Sequence, residues 1–581
     1  MCLTMVARHD SVLVNTSAPI HRQIVLLAIV LCAALTPVLP GTSMKVDSTL
    51  SAGMVLALGA YLMLRAAVPV GHTALDVPIV AFLLVCSLAT LTSSHPFLSY
   101  FPSVSRADGL LVYLAYGAIA LMAARLAREE VPALLFSLLI AGVVISAVAI
   151  LQYYGFDATH VFRDKVLPFD RSWGTLANPI FLGGYVSLML PLALTLTLHA
   201  PEPRWPWYGA ATCGMYGALV ASETRAAWLA CAVAVVLLVR FLPDARPRRR
   251  RWVVLAGVCA AITAVMALTH TEAHLAQRAL SIVDPQHVSL QGRLFVWKNV
   301  LPLIAHRPIL GWGFSALGAQ HPGATSPAYF RLFGANVVDA EHNELLHIAF
   351  ATGLVGLAAY LWVWGRVFRS LWPPIRTGSA DGQLHLGVAA SMVAYFIWLQ
   401  TGWSMVGPAN AFWALAGAAV ALSHSRVPPS DELQRVRHTA LAEPIVAAAA
   451  CAALVLAVMP DYRAARQVVA DEERVQDAES WVILHETAHA EMRGIAGRWR
   501  ALAWSCFQRT ADTGRCADNN ALRFRETSVN WQVTHPTYVT TPTSITMIVN
   551  GAVGSPLVAD ERCTATIRTL DGTARDECGA K

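Results

Sequence analysis

VVDAEHNELLHIAFATGLVGLAAYLWVWG, residues 337–365, passes from a polar cluster straight into an apolar run. No Asp, Glu, Lys or Arg occurs between Leu345 and Gly365, a length close to the ~20 apolar residues that cross a bilayer as a helix. At the mouth of this span stand Asp339, Glu341, His342, Asn343 and Glu344. One capping side chain suffices to start a helix. Five polar groups call for a further reason.

Comparable apolar runs recur from Ile24 to about Met459. They predict spans near 24–40, 49–69, 75–92, 109–125, 132–151, 178–198, 206–222, 226–241, 252–269, 344–365, 384–402, 408–423 and 441–459. The chain of 581 residues is 56% hydrophobic and only 14% charged, far below the roughly 25% charge of soluble domains. An all-α polytopic membrane protein with about 12–13 transmembrane helices is therefore expected. Residues 1–23 form its cytoplasmic N-terminus, 24–269 and 342–459 two transmembrane bundles, and 270–341 a large outer loop with an amphipathic helix. Residues 460–581 form an extracytoplasmic α+β tail. The net charge of +6 sits in short loops and is no nucleic-acid footprint.

Basic residues set the orientation. With the N-terminus inside and the first span retained, the inner loops hold Arg65, Arg125, Arg128, the Arg246–Arg251 cluster, Arg366, Arg369, Arg376, Arg426, Arg435 and Arg437. The short outer loops are then poor in Lys and Arg, as the positive-inside rule requires. The same assignment puts every polar, motif-like stretch on one face: 93–108, 152–177, Ser222–Arg225, 270–341 and the tail. This predicts a cytoplasmic (inner) membrane protein, multi-pass, with its tail outside.

The tail supplies a second indication of the compartment. Four of eleven cysteines lie there, Cys506, Cys516, Cys563 and Cys578, and two disulfides, Cys506–Cys516 and Cys563–Cys578, are the pairing preferred among three. Disulfides belong to an oxidising compartment. Residues 461–507 read as one amphipathic helix, while Ser528–Val533 and Thr543–Val549 read as strands. Within the helix, His485-Glu486-Thr-Ala-His489 fits the zinc-peptidase pattern HExxH, but His485 falls on the apolar stripe and no third ligand is marked.

Three stretches on the outer face combine chemically. Ser222-Glu-Thr-Arg225 joins two spans. Gly292-Arg293 opens a helical stretch with Leu294, Trp297, Leu301 and Ile304 expected on one apolar side. Glu341-His342-Asn343 begins the next span. Each alone has a plain structural reading: an interface anchor, a solvated charge, a helix start. Together, two guanidinium groups can grip a pyrophosphate through paired charged hydrogen bonds, and an imidazole can take the proton of an attacking hydroxyl. Of the remaining outer polar groups, Arg106 and Asp108 read as an orienting ion pair. Arg163, Asp164, Lys165, Asp170 and Arg171 line either a sugar entrance or solvent, and Asn178-Pro179 reads as a helix entry.

The ordered set Ala177-Asn178-Pro-Ile-Phe-Leu-Gly-Gly-Tyr185, Ser222-Glu-Thr-Arg225-Ala-Ala-Trp228, Arg293…Trp297, His306-Arg-Pro-Ile-Leu-Gly311-Trp-Gly313 and His342-Asn343…Leu346…Gly353…Gly356 resembles the O-antigen ligase and O-antigen polymerase family. That family includes related protein O-oligosaccharyltransferases. The resemblance spans roughly residues 20–425. It implies a GT-C-like, inverting, metal-independent glycosyltransferase of lipopolysaccharide or polysaccharide biosynthesis, with no cofactor and a periplasmic active site. The donor it implies is a glycan on undecaprenyl diphosphate. The acceptor is a hydroxyl of lipid A–core, of a growing glycan or of a protein. By motif position Arg225 and Arg293 hold the diphosphate, His342 activates the hydroxyl, and Glu341, Asn343, Trp297 and Asn178 support them. A transporter of lipid or polysaccharide is the alternative from another class, for which paired mid-bilayer charges and a repeat of spans are the signs to find. Neither is evident in the sequence.

Overall fold

The computed structural model describes residues 20–39, 45–51, 53, 55–56, 72–101, 107–157, 171–242, 246–269, 274–282, 284, 286–317, 338, 340–377, 382–423, 537–541, 544–550, 561–568 and 574–580. The apolar runs form helices. They are α1 (Ile20–Val30), which continues through a π turn into α2 (Thr36–Val38), then α3 (Asp76–Leu91), α4 (Pro96–Tyr100), α5 (Leu110–Ala123), α6 (Val131–Tyr153) and α7 (Pro179–His199). There follow α8 (Trp205–Ala221), α9 (Arg225–Phe241), α10 (Arg246–Thr269), α11 (His274–Leu280), α12 (Val288–His306), α13 (Glu344–Arg376), α14 (Gly382–Leu399) and α15 (Val406–Ala421). Five of them, α6, α7, α13, α14 and most of α10, are long and apolar enough to cross a bilayer. The protein is a multi-pass membrane protein. The span expected at 441–459 lies outside the described residues.

The chain divides into two compact units, the first holding 1–284, 303–316 and 340–470, the second 285–302, 317–339 and 471–581. In the first, α7 is the central helix, packed against α8, α9 and α14. Its sequence explains why. Gly183 and Gly184 carry no side chain where neighbours press closest: a Cβ at Gly183 would stand 2.7 Å from Thr224, and one at Gly184 2.5 Å from the Trp398 ring. Close approach of this kind is how membrane helices gain packing when lipid is as apolar as their side chains.

Helix α13 is longer than the expected 344–365 and breaks at Gly353, whose φ of 70° is left-handed. A kink at membrane depth frees backbone groups that find no water there. The loop after α12 supplies their partners. Trp312 N–H donates to the Phe350 carbonyl (2.9 Å), Gly313 N–H to the Ala351 carbonyl (2.9 Å), and Leu354 N–H donates back to the Pro308 carbonyl (2.7 Å). A Cβ on Gly353 would collide with the Ile309 carbonyl. Residues 307–316 thus replace one turn of α13's own hydrogen bonds, with Phe314 and Ala316 wholly buried.

In the second unit, the start of α12 buries Val296 and Val300 and leaves Leu294 and Leu301 about half exposed. The apolar side expected to hold Leu294 and Leu301 is therefore corrected: the buried stripe runs one face round. The tail contributes a four-stranded antiparallel meander, β1 (Thr537–Thr541), β2 (Ser544–Asn550), β3 (Glu561–Arg568) and β4 (Ala574–Ala580), in that order. Strand β2 coincides with the strand expected at Thr543–Val549. The expected strand 528–533 and the helix 461–507, with Cys506, Cys516, His485, Glu486 and His489, lie outside the described residues. In the β3–β4 register, Cys563 stands directly across from Cys578.

Candidate functional site

The N-terminus of α13 is built around Asn343. Its side-chain oxygen accepts from Leu346 N–H (3.1 Å), capping the helix, and its amide donates to the Gln400 carbonyl (3.1 Å). Asn343 therefore holds the helix start to the α14–α15 connection. Immediately before it, His342 adopts φ 51°. Left-handed backbone is costly for a side chain with a Cβ, and such strain concentrates at functional sites. Among the described residues the non-glycine positions with this geometry are Ala107, Ala177, Glu223, Ser315 and His342. Every one falls in a loop that the charge pattern assigns to the same face. The half-buried His342 ring meets Trp403 edge-on, centroids 4.9 Å apart.

Trp403 leads to the second element. It packs edge-on against Phe181 in the first turn of α7 (5.2 Å). That turn is set by Asn178, whose side-chain oxygen accepts from Ile180 N–H (2.8 Å), with Pro179 following in the first helical position. On its other side, the Thr224 hydroxyl donates to the Pro179 carbonyl (2.9 Å). Thr224 immediately precedes Arg225, whose Nη1 donates to the Ser281 carbonyl (2.6 Å) and hydroxyl (3.1 Å). Thr224, the residue before Arg225, and Trp403, the ring that His342 meets, thus both touch one structural platform, the N-terminal turn of α7. The segment leading into α7 is itself pinned, since the Gln152 side-chain oxygen accepts from Trp173 and Gly174 N–H groups and Lys45 donates to the Leu39 and Thr175 carbonyls.

Behind His342 lies a buried ionic cluster that sequence reasoning did not find. His347, one turn into α13, sets Nδ1 against Glu341 Oε2 (2.9 Å) and Nε2 against Asp108 Oδ2 (3.4 Å). All three side chains are at most 5% exposed. Glu344 adds a second carboxylate site, accepting from Ser404 N–H and Oγ–H (2.7 Å each) and from the Tyr360 hydroxyl (3.4 Å). Glu341, expected to support the His342 imidazole, pairs with His347. Asp108, whose expected partner Arg106 lies outside the described residues, is buried at the α13 start and faces His347. The available signal was the run of Glu341, His342, Glu344 and His347 around one helix start, which sets two carboxylates beside two imidazoles.

Arg293 belongs to the second unit, half-buried on α12, where Nη1 donates to the Ser289 hydroxyl (2.8 Å) one turn earlier. Trp297, also half-buried, stands one turn further along the same helix. Arg106, Asp339, Arg163, Asp164, Lys165 and Asp170 lie outside the described residues.

Residues 209–361 match the family model described as O-Antigen ligase. The matched segment runs from α8 into the second half of α13 and contains Arg225, Arg293, Glu341, His342 and Asn343. No curated protein matches the chain.

Proposed function

We propose that the O-antigen ligase domain over residues 209–361 makes this multi-pass membrane protein a glycosyltransferase, moving a glycan from undecaprenyl diphosphate to an acceptor hydroxyl at the outer face of the inner membrane. The observation that carries this reading is that Arg225 and His342, far apart in sequence, are each linked through one neighbour, Thr224 and Trp403, to the same first turn of α7. His342 takes the proton as the acceptor oxygen attacks C1 of the donor sugar. The C1–O bond to phosphate breaks with inversion, and undecaprenyl diphosphate leaves. Its charge is met by the Arg225 guanidinium, so the departing group needs little protonation; Arg293 is the second cation that the family resemblance implies. Asn343 and Asn178 serve by fixing the starts of α13 and α7, and Glu341, held by His347, by anchoring the chain immediately before His342.

A lipid A–core sugar, the end of a polymer and a protein Ser or Thr are all acceptors of this chemistry. Glycan profiling of a deletion strain separates them: loss of long-chain lipopolysaccharide marks a ligase, loss of chain length a polymerase, loss of glycoprotein an oligosaccharyltransferase. In liposomes containing the lipid-linked donor, Arg225→Ala should reduce transfer at least tenfold, the cost of about one charged hydrogen-bond pair. Substrate crossing sealed vesicles without chemical change would instead support a transporter.

The same reading places the N-terminus inside and the tail outside. Directly opposed Cα atoms on antiparallel strands lie ~4.5–5.5 Å apart, within the range a disulfide spans. The register therefore supports a Cys563–Cys578 bond, with Cys506–Cys516 as its companion. Peptide mapping without reductant should recover both linked pairs from protein made in cells; four alkylatable thiols would count against an outer location.

A further inference from the structure

Arg278, which no motif singled out, is tied to Arg225 by a reciprocal clasp. From α11 its Nε donates to the carbonyl of Glu223 (3.1 Å), the left-handed residue two before Arg225. In return Arg225 reaches past it to the Ser281 carbonyl and hydroxyl, and that hydroxyl donates to the Arg278 carbonyl (2.7 Å). Each arginine therefore grips the backbone segment that carries the other. The result places two like charges near enough to repel, with Asp284 acting in the opposite direction on Arg225.

Nothing in helix packing requires that juxtaposition. A neutral donor at position 278 would satisfy the Glu223 carbonyl equally well, and without repulsion. Guanidinium groups drawn together at a half-buried loop suit an anion with several oxygens, because each offers a planar fork of donors. Engagement through Nε orients the Arg278 plane while the fork of terminal nitrogens suits a phosphate. Glu223 contributes the strained turn that brings its own carbonyl to Arg278 and the next-but-one side chain to the same place.

We propose that Arg278 is a further donor-binding residue, sharing with Arg225 one phosphate of the lipid diphosphate. The inference rests on the glycosyl-transfer reading above and adds a cation to it. No bond is made or broken at Arg278. Its work is to hold the diphosphate in the ground state and as it departs.

The test uses the full-length protein in liposomes, with purified undecaprenyl-diphosphate-linked glycan and a fixed acceptor. Arg278→Gln keeps an N–H donor for the Glu223 carbonyl and removes the charge. It should raise donor KM about tenfold or more, leave acceptor KM unchanged and preserve the melting temperature. Arg278→Lys should recover part of the donor affinity as a point charge. Inhibition by undecaprenyl diphosphate alone, without a glycan, should weaken in parallel with Arg278→Gln. A wild-type donor KM and wild-type product inhibition in Arg278→Gln would show a purely structural clasp and overturn the inference, leaving the broader reading intact if Arg225→Ala is still impaired. Full activity in Arg225→Ala, or no transfer by the wild-type protein, overturns both.

Discussion

Replacing His342 with alanine is expected to lower glycan transfer by about 10²–10⁴-fold, the range a positioned general base contributes. The effect falls on kcat. A diphosphate is a competent leaving group once its charge is met by fixed cations, whereas an alcohol oxygen is a poor nucleophile until its proton has somewhere to go. The imidazole is suited to that task because its unperturbed pKa lies near neutrality. His342 is also held for it: the backbone is left-handed, the ring meets Trp403, and the next residue caps α13. Two controls separate chemistry from structure. His342→Gln keeps a polar side chain of similar reach but cannot take a proton, so it should be nearly as inactive as alanine. Asn343→Ala removes the cap and costs about 1 kcal/mol of stability, with a smaller effect on rate. Alanine at 342 with near-wild-type kcat in reconstituted liposomes would remove the base from the mechanism. So would equal loss from a rise in donor KM alone.

Much of the helical framework was legible because apolar length is a strong signal in lipid. The runs at 75–92, 132–151 and 178–198 correspond to α3, α6 and α7 within a residue or two. The kink of α13 was not legible. Gly353 shows only as one glycine in an apolar run, and what makes the break tolerable is a hydrogen-bond exchange with Trp312, Gly313 and Pro308, supplied from another loop. The stripe on α12 differs for a related reason: Leu294, Trp297, Leu301 and Ile304 share a helical period, but so do Val296, Val300 and Ile304, and tertiary packing buries the second set while leaving Leu294 and Leu301 about half exposed.

Arg225 and His342 stand out in the sequence as candidates because charge alternation predicts one face for both and their chemistry is complementary. Asp108 and His347 do not stand out. An acid ahead of a span and a histidine inside one each look ordinary, and their meaning comes from a contact between α13 and the loop before α5. Arg278 stayed hidden likewise, since its partner is a backbone carbonyl that becomes available only because Glu223 turns left-handed.

The buried cluster behind His342 yields the largest expected effect on stability. Asp108→Ala should cost about 3–5 kcal/mol, the usual penalty for removing one member of a buried ionic group. His347 lies between Asp108 and Glu341 with both ring nitrogens facing carboxylate oxygens, and only an imidazolium can donate from both. Deleting Asp108 leaves an imidazole with a dry, unmatched edge. His347→Phe is expected to be equally damaging for the opposite reason, since it removes the imidazole that the buried Asp108 and Glu341 carboxylates share. The pair then behaves non-additively: Asp108→Ala with His347→Phe should lose clearly less than the sum of the single changes, by 0.5–3 kcal/mol on the scale of contacting residues. Thermal unfolding of the detergent-solubilised protein measures all four corners of the cycle. Activity should decline in every variant, even well below the melting temperature, because Glu341 anchors the chain one residue before the strained His342. Additive losses would mean that Asp108 and His347 are not energetically coupled. An Asp108→Ala protein with unchanged melting and unchanged transfer would show that the cluster does not hold His342 in place.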